Sequence, residues 1–266
     1  MEIKYQETTK DLLTRIDIHE KYGAGYIDRW TTAVLQPKPG MKILDVGCGG
    51  GKQCFLYSDY TSRNAQIIGG DVSDELLDKA RATNSARRDS VDFQYLDFNK
   101  RFAFSEDTFD LVSSAFAIYY ARDLDFTFGE AHRVVKPGGC LFVTGPLPEN
   151  KQMFYEIIKE ATNKPIPPMP GSSRFKGEIL QTIQAKFSRT DLLTFENPIT
   201  FPAVKPFMDY VRASLSEDRK LWTSMFSGPE EYEALIGSIE AVATRWFNRD
   251  GKLVMTKVVG GILATK

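Results

Sequence analysis

The sequence predicts an α/β protein built on a doubly wound, mostly parallel sheet, with helices ahead of it and a helical insertion late in the chain. Three observations carry this. Short apolar runs that stop at glycine or aspartate alternate with segments of helical period. A glycine-rich turn follows the first of those runs, and beyond the fifth run the pattern gives way to long helical stretches. Alternating strand and helix imply parallel strands joined by right-handed crossovers, with ligands at the carboxyl ends of the strands.

Residues 6 to 35 read as helix with a break at Gly23 and Gly25, and Pro37, Pro39 and Gly40 then punctuate the chain. Met41 to Val46, Ala65 to Gly70, Val91 to Leu96, Phe109 to Ser113 and Cys140 to Thr144 are strand candidates, with helices near 50 to 60, 73 to 85 and 123 to 135. Met153, Phe154, Ile157, Ile158 and Ala161 then share a helical face. The stretch Pro165 to Gly171 (PIPPMPG) reads as a stiff loop. Phe175, Ile179, Ile183 and Phe187 mark another helix, and 189 to 201 contains a strand. Residues 203 to 248 are mostly helical, with Leu235, Ile236, Ile239, Val242 and Trp246 in register, and Leu253 to Ala264 closes the chain as a strand. The expected organisation is one domain, 1–266. It has a helical cap at 1–38, a core at 39–202 and 251–266, and a helical lid at 203–250.

The 266 residues carry a formal charge of -1, so no basic footprint for nucleic acid or anionic membrane is present. The opening MEIKYQETTKDLLTR has no apolar signal region, and no run approaches the roughly 20 residues of a membrane span. The three cysteines, Cys48, Cys54 and Cys140, follow no repeated spacing and suggest reduced thiols in a cytoplasmic protein. With His19 and His132 as the two histidines, no metal site is expected. The oligomeric state is left open.

The motif ILDVGCGGGKQ, residues 43 to 53, decides the cofactor. Glycines at 47, 49 and 51 let the backbone turn tightly and approach a ligand. A dinucleotide fingerprint starting at Gly47 needs glycine where Lys52 stands, and Asp45 would oppose a pyrophosphate. Both features disfavour a nicotinamide-dependent reductase and suit a cationic ligand such as S-adenosylmethionine. Asp71, at the end of the second strand, can accept from ribose hydroxyls with either cofactor.

Residues 43 to 145 resemble class I S-adenosylmethionine-dependent methyltransferases of the ubiquinone/menaquinone-biosynthesis (methyltransferase type 11) group. DVGCGGG is similar to that group's first motif, GGDVSDELLDKAR to the second, and Asp97-Phe98 to the third. FDLVSSAFAIYY resembles the fourth-strand segment, and AHRVVKPGGCLFVTGP the helix, turn and fifth strand. The resemblance implies a Rossmann-like, seven-stranded fold, with S-adenosylmethionine as donor and S-adenosylhomocysteine as product. It puts Gly47, Cys48 and Gly49 under the methionine portion, with Asp45 holding that end through the ammonium or the loop. Asp71 would bind the ribose, Val72 and Phe98 would sandwich the adenine, and Asp97 would accept from its amine. Ala115 and Phe116 would border the sulfonium. The alternative role for Asp45 and Asp97 is to cap a turn.

Tyr155 and Lys159 match the spacing of a short-chain dehydrogenase pair, but neither the glycine loop nor Leu141, Phe142 and Val143 fits that chemistry. No obvious base stands in the motifs, and His19 and Tyr119 are the weak candidates. SSAFAIYY lacks both the Asn/Asp-Pro-Pro element of nucleic-acid amino methyltransferases and the paired glutamates of arginine methyltransferases. A small organic metabolite is therefore the expected acceptor. The alternative is a cofactor-binding module without transferase activity.

Overall fold

The computed structural model describes residues 8–167, 169–215, 219–226 and 228–266. The first seven residues of the expected cap, Pro168 of the proline-rich loop, and 216–218 and 227 of the expected lid lie outside the described residues. The chain opens with α1 (Thr9–Tyr22) and α2 (Ile27–Leu35), then β1 (Lys42–Val46), α3 (Lys52–Tyr60), β2 (Gln66–Asp71), α4 (Asp74–Arg87) and β3 (Asp92–Tyr95). There follow β4 (Phe109–Ala115), a 3₁₀ turn (Ile118–Tyr120), α5 (Leu124–Val134), β5 (Val135–Pro146) and α6 (Gln152–Thr162). A helix then runs as α7 (Pro170–Arg174), a π-helical turn (Phe175–Ile179) and α8 (Leu180–Gln184). The chain ends with β6 (Arg189–Phe201), α9 (Val204–Ala213), α10 (Arg219–Trp222), α11 (Pro229–Asp250) and β7 (Leu253–Thr265).

The seven strands lie in the order β3-β2-β1-β4-β5-β7-β6. β1 pairs in parallel with both β2 and β4, so the order reverses beside it and opens a crevice at its carboxyl end. Apart from Lys42, β1 is buried throughout, as expected of a central parallel strand covered on both faces. Two of the helices that flank the sheet begin where the sequence supplies caps. Ser73 Oγ accepts from Leu76 N–H ahead of α4, and Asp123 Oδ1 accepts from Phe126 N–H ahead of α5. One face of the sheet packs against α5 and the π turn through Phe128, Ala131, Phe175 and Ile179. The other packs against α3 and α4 through Cys54, Tyr57, Leu77 and Ala80.

β7 runs antiparallel to both β5 and β6. Its ladder with β5 ends at Pro146↔Val259, whereas its ladder with β6 continues to Phe201↔Leu253. The two long strands therefore project as a ribbon beyond the carboxyl end of β5. On it, Ile199, Phe201, Leu253 and Met255 join a second core with Ile18 of α1, Phe154 and Ile157 of α6, Phe207 and Tyr210 of α9, and Ile236 and Ile239 of α11. Each such side chain contributes roughly 1.5–3 kcal/mol by leaving water, which suffices to hold the late helices against α1 and α6. Gly23 bridges to Ile199, so the break between α1 and α2 docks on the same ribbon.

Several boundaries differ from the sequence reading. β5 begins at Val135 because Val135 pairs with Phe109 before the Lys-Pro-Gly-Gly turn, and the register shifts between Phe109 and Leu111. The proline-rich loop stops at Met169, since Pro170 occupies a first-turn position, where a missing N–H costs nothing. The following helix is regular only at its ends. Its π turn sets Phe175 over Gly145 and Gly260, which face each other across β5 and β7. A Cβ at either glycine would lie 2.5 or 2.7 Å from the ring. Phe175 is completely buried there. Phe175→Ala is expected to lower stability by about 3–5 kcal/mol. Urea denaturation measures this, and a loss below about 1 kcal/mol would mean the site collapses around the missing ring.

Candidate active site

The turn after β1 is tied to β2 by backbone bonds. The N–H groups of Gly47 and Cys48 both donate to Gly70 O, at 2.7 and 3.0 Å, and Gly51 N–H donates to Cys48 O at 2.9 Å. Two of its glycines are required. Gly47 has φ +73, and a Cβ on it would overlap Ala117. Gly51 has φ +82, and a Cβ on it would lie 2.7 Å from Phe93 Cζ. Gly49 N–H donates to Asp71 Oδ2 at 2.8 Å, and Ser73 N–H donates to Asp71 Oδ1 at 2.9 Å. The Asp71 carboxylate is thus fixed between the glycine turn and the start of α4.

Asp45 lies inside the sheet, 1% exposed. Its carboxylate accepts from Ser113 Oγ at 2.6 Å and from Cys54 Sγ at 3.7 Å. Burial pushes its pKa up to about 7; the bonds from Ser113 and Cys54 oppose that rise, and the nearby charge of Asp71 adds to it. The hydrogen bond to Cys48 and burial push the Cys54 thiol up, and burial beside Asp45 does the same to the Tyr57 phenol. Asp45 thus ties β1 to β4 beneath the loop.

The structure brings most of the expected residues to this crevice. Phe98 is half-buried with its ring edge 3.9 Å from the position a Cβ on Gly47 would take, so β1, β3 and β4 meet at Gly47, Phe98 and Ala117. Val72, directly after Asp71, is 52% exposed. Asp97 closes its own turn, accepting from Asn99 N–H at 2.9 Å and from Asn99 Nδ2 at 3.1 Å, with Lys100 Nζ 3.7 Å from its second oxygen. Ala115 ends β4, paired with Thr144. Phe116 stands beyond it at φ +54, 41% exposed, with its N–H donating to Thr144 O at 3.1 Å. A bulky residue held in the left-handed region costs on the order of 1–3 kcal/mol and marks a site where position matters. Tyr119 sits in the 3₁₀ turn beside Tyr120, with ring centroids 4.6 Å apart, and its carbonyl accepts from Arg174 at 2.8 Å.

His19 is placed elsewhere. Its ring lies 5.8 Å from that of Tyr210, in the second core between α1 and α9. His132 packs edge-on against Phe187, behind the sheet. Ser113 and Ala117 went unnoticed in the sequence reading. A polar Ser-Ser pair inside the buried run LVSSAF was the available signal for the first.

For a cofactor, the fit is good. The backbone at Gly49 and Gly50 is open, with no atom closer than 4.0 Å to a Cβ placed on either. A fixed carboxylate and exposed apolar side chains rim it, which suits a ligand with a ribose and flat or apolar parts. No group of three or more metal-ligating side chains occurs among the described residues, and no helix among them is long and apolar enough to cross a membrane.

Comparison with known proteins agrees with the fold. Residues 37–195 match the family model described as methyltransferase domain. That is more than half of the chain, and the chain belongs to this family of S-adenosylmethionine-dependent methyltransferases. It is 26% identical over 211 residues to phosphoethanolamine N-methyltransferase 3 of Arabidopsis thaliana, covering 77% of this chain and 39% of that one. It is 29% identical over 116 residues to a ubiquinone/menaquinone biosynthesis C-methyltransferase of a Shewanella species, covering 43% and 46%. The chain spans less than half the length of either curated relative. Among solved structures, phosphoethanolamine N-methyltransferase 2 of Haemonchus contortus, in complex with S-adenosyl-L-methionine, superposes with a TM-score of 0.55 at 19% identity, covering 97% of this chain and 57% of that one.

The Asp45 carboxyl has a pH consequence. In the unfolded chain it ionises near 3.8, whereas in the native protein it holds its proton to about 7. Between those values the unfolded state loses the proton first, so rising pH costs native stability, by on the order of a few kcal/mol at the top of the window. Asp45→Asn cannot titrate and should gain stability relative to the wild type as pH rises from about 4 to about 7.5. Denaturation midpoints measured across that range check this; parallel curves for the two proteins would show an ordinary carboxyl.

Proposed function

We propose that this chain binds S-adenosylmethionine in the crevice beyond β1, β2 and β4, and transfers its methyl group to a small organic acceptor in the cytoplasm. The observation that carries this reading is the Asp71 carboxylate held at 2.8 Å from Gly49 N–H; a carboxylate fixed beside an open glycine turn supports a ribose site there. Val72 and Phe98 would flank the adenine, with Asp97 shaping the turn that presents Phe98. Gly47, Cys48 and Gly49 would underlie the methionine portion, with Asp45 supporting them. Ala115 and Phe116 would border the sulfonium. The relatives' names, which mention phosphoethanolamine and quinone biosynthesis, support a small-molecule acceptor.

When bound, S-adenosylmethionine supplies a methyl carbon made electrophilic by its sulfonium. The acceptor forms its bond to that carbon as the carbon–sulfur bond breaks, and the electron pair of that bond stays on sulfur. The chain's part is to align the two and keep water out. The aromatic faces of Phe116, Tyr119 and Tyr120 suit a cationic centre. The division into a core at 39–202 and 251–266, a cap at 1–38 and a lid at 203–250 belongs to this reading. The lid helices, α1 and α6 share one core, so they would close over the acceptor together.

Asp71→Ala is expected to weaken S-adenosylhomocysteine binding at least about tenfold by calorimetry, through loss of charge-assisted hydrogen bonds. It should also abolish transfer of labelled methyl into the small-molecule fraction of a cell extract. Retention of both would remove Asp71 from the site, and donor binding with no labelled fraction would favour a binding module without transferase activity. Amide exchange in residues 8–35 and 204–213 should slow when S-adenosylhomocysteine binds; unchanged exchange in both would exclude the cap and lid from closure.

A further inference from the structure

Resting on that reading, we propose that Arg174 is a positioning residue for the methyl donor: from α7, its guanidinium holds the turn after β4 in place against the glycine turn.

Phe116 shows why the turn after β4 needs holding. Its backbone stands at φ +54, in the left-handed region that favours glycine. A bulky residue persists there only where neighbouring contacts fix the chain on both sides of it. On the upstream side the sheet does so: Ala115 pairs with Thr144, and Phe116 N–H donates to Thr144 O at 3.1 Å. On the downstream side the chain enters a single 3₁₀ turn, Ile118–Tyr120. Tyr120 N–H donates to Ala117 O and Ala121 N–H to Ile118 O, both at 3.0 Å. One turn with 3₁₀ geometry is weakly bonded in itself, so its place depends on what reaches it from elsewhere.

Arg174 reaches it from 55 positions further along the chain. Its Nη1 donates to Tyr119 O at 2.8 Å, a charge-assisted bond to the middle carbonyl of the turn. The Arg174 side chain is 11% exposed, so water competes little for that bond. Its Nε lies 3.4 Å from Glu178 Oε2, on a side chain that is 72% exposed, and that contact contributes less. Gly171, in the same helix, lies alongside: a Cβ on it would stand 3.8 Å from Tyr119 Cδ2. The π turn begins at Phe175, directly after Arg174. Phe175 is seated over Gly145 and Gly260, so the guanidinium is delivered from a helix anchored on β5 and β7. Single π turns inside helices recur at functional sites.

The segment that Arg174 holds reaches both ends of the proposed donor site. Ala117 packs so closely on the glycine turn that a Cβ on Gly47 would overlap its own. At the other end, Arg122 N–H donates to Asn99 Oδ1 at 2.7 Å, and Asn99 N–H is bonded to Asp97, next to Phe98. Loss of the Arg174 bond frees Phe116 to relax toward an ordinary φ, which draws Ala117 off Gly47 and loosens the donor site.

Calorimetry with S-adenosylhomocysteine tests this on the full chain carrying Arg174→Met, Arg174→Lys or Glu178→Gln. Arg174→Met should weaken binding at least about fivefold. Arg174→Lys can restore a single charged bond to the Tyr119 carbonyl and should bind more tightly than Arg174→Met. Glu178→Gln should match the wild type. A role confined to stability would lower the melting temperature of Arg174→Met and leave its affinity unchanged; that result overturns the proposal, as does equal weakening by Glu178→Gln or no recovery in Arg174→Lys. Coupling between two sites is reciprocal. In the wild type, S-adenosylhomocysteine should therefore slow amide exchange at Tyr120 and Ala121, and at Ser173 and Phe175 on either side of Arg174. Unchanged exchange at these amides overturns the proposal even if no variant folds. Failure of the wild type to bind S-adenosylhomocysteine would instead overturn the methyltransferase reading.

Discussion

The way the chain leaves β1 governs the rest of the molecule. β1 is the central strand at the reversal of strand order, so its carboxyl end is where the two halves of the sheet part. The turn that follows must pass close to β2, clear Ala117 and Phe93, and enter α3. Backbone at positive φ meets that demand, and the N–H groups it releases are taken up by Gly70 O and the Asp71 carboxylate. Beneath it, Asp45 and Ser113 lock β1 to β4 by a 2.6 Å bond in a place with almost no water. The cost of keeping a carboxyl there is the raised pKa; the return is a loop whose outer face is open while its inner face is rigid.

The fold was legible wherever the determinants were local. Apolar period, cap residues and glycine punctuation located the strands other than the start of β5 to within two residues, and the order of motifs matched the topology. The errors fell where tertiary contact overrides local pattern. Val135 is a strand residue only because Phe109 lies beside it. Pro170 reads as a loop former until its position in the first turn of a helix is known. The π turn at Phe175–Ile179 has no sequence signature; it answers the space left by Gly145 and Gly260 on strands far apart in the chain.

The site divides in the same way. The residues beside the glycine turn come from strand ends and the turns directly after them, so they were readable from motifs, and Asp71 and Phe98 stand next to that turn. What the motifs hid were the partners that set each group's behaviour. Asp45 could be read as a ligand or as a turn cap, and neither its depth of burial nor the bond from Ser113 was visible in the sequence. Phe116 was visible as an aromatic after β4, but not as a residue held at φ +54.

The second core had no comparable signal, because its parts come from α1, α6, the ribbon, α9 and α11 and meet only in the folded chain. Lys151 and Arg15 look like ordinary surface cations in sequence. Their burial follows from the ribbon of β6 and β7, which extends the sheet past β5 and gives α1, α6 and α9 a common surface to pack on. The family match at 37–195 takes in the glycine turn, Asp71, Phe98 and Lys151, but stops short of α9 and begins after α1. The second core therefore joins elements inside the match to elements outside it. The elements outside the match are held on the ribbon and on α6 by the apolar contacts of the second core.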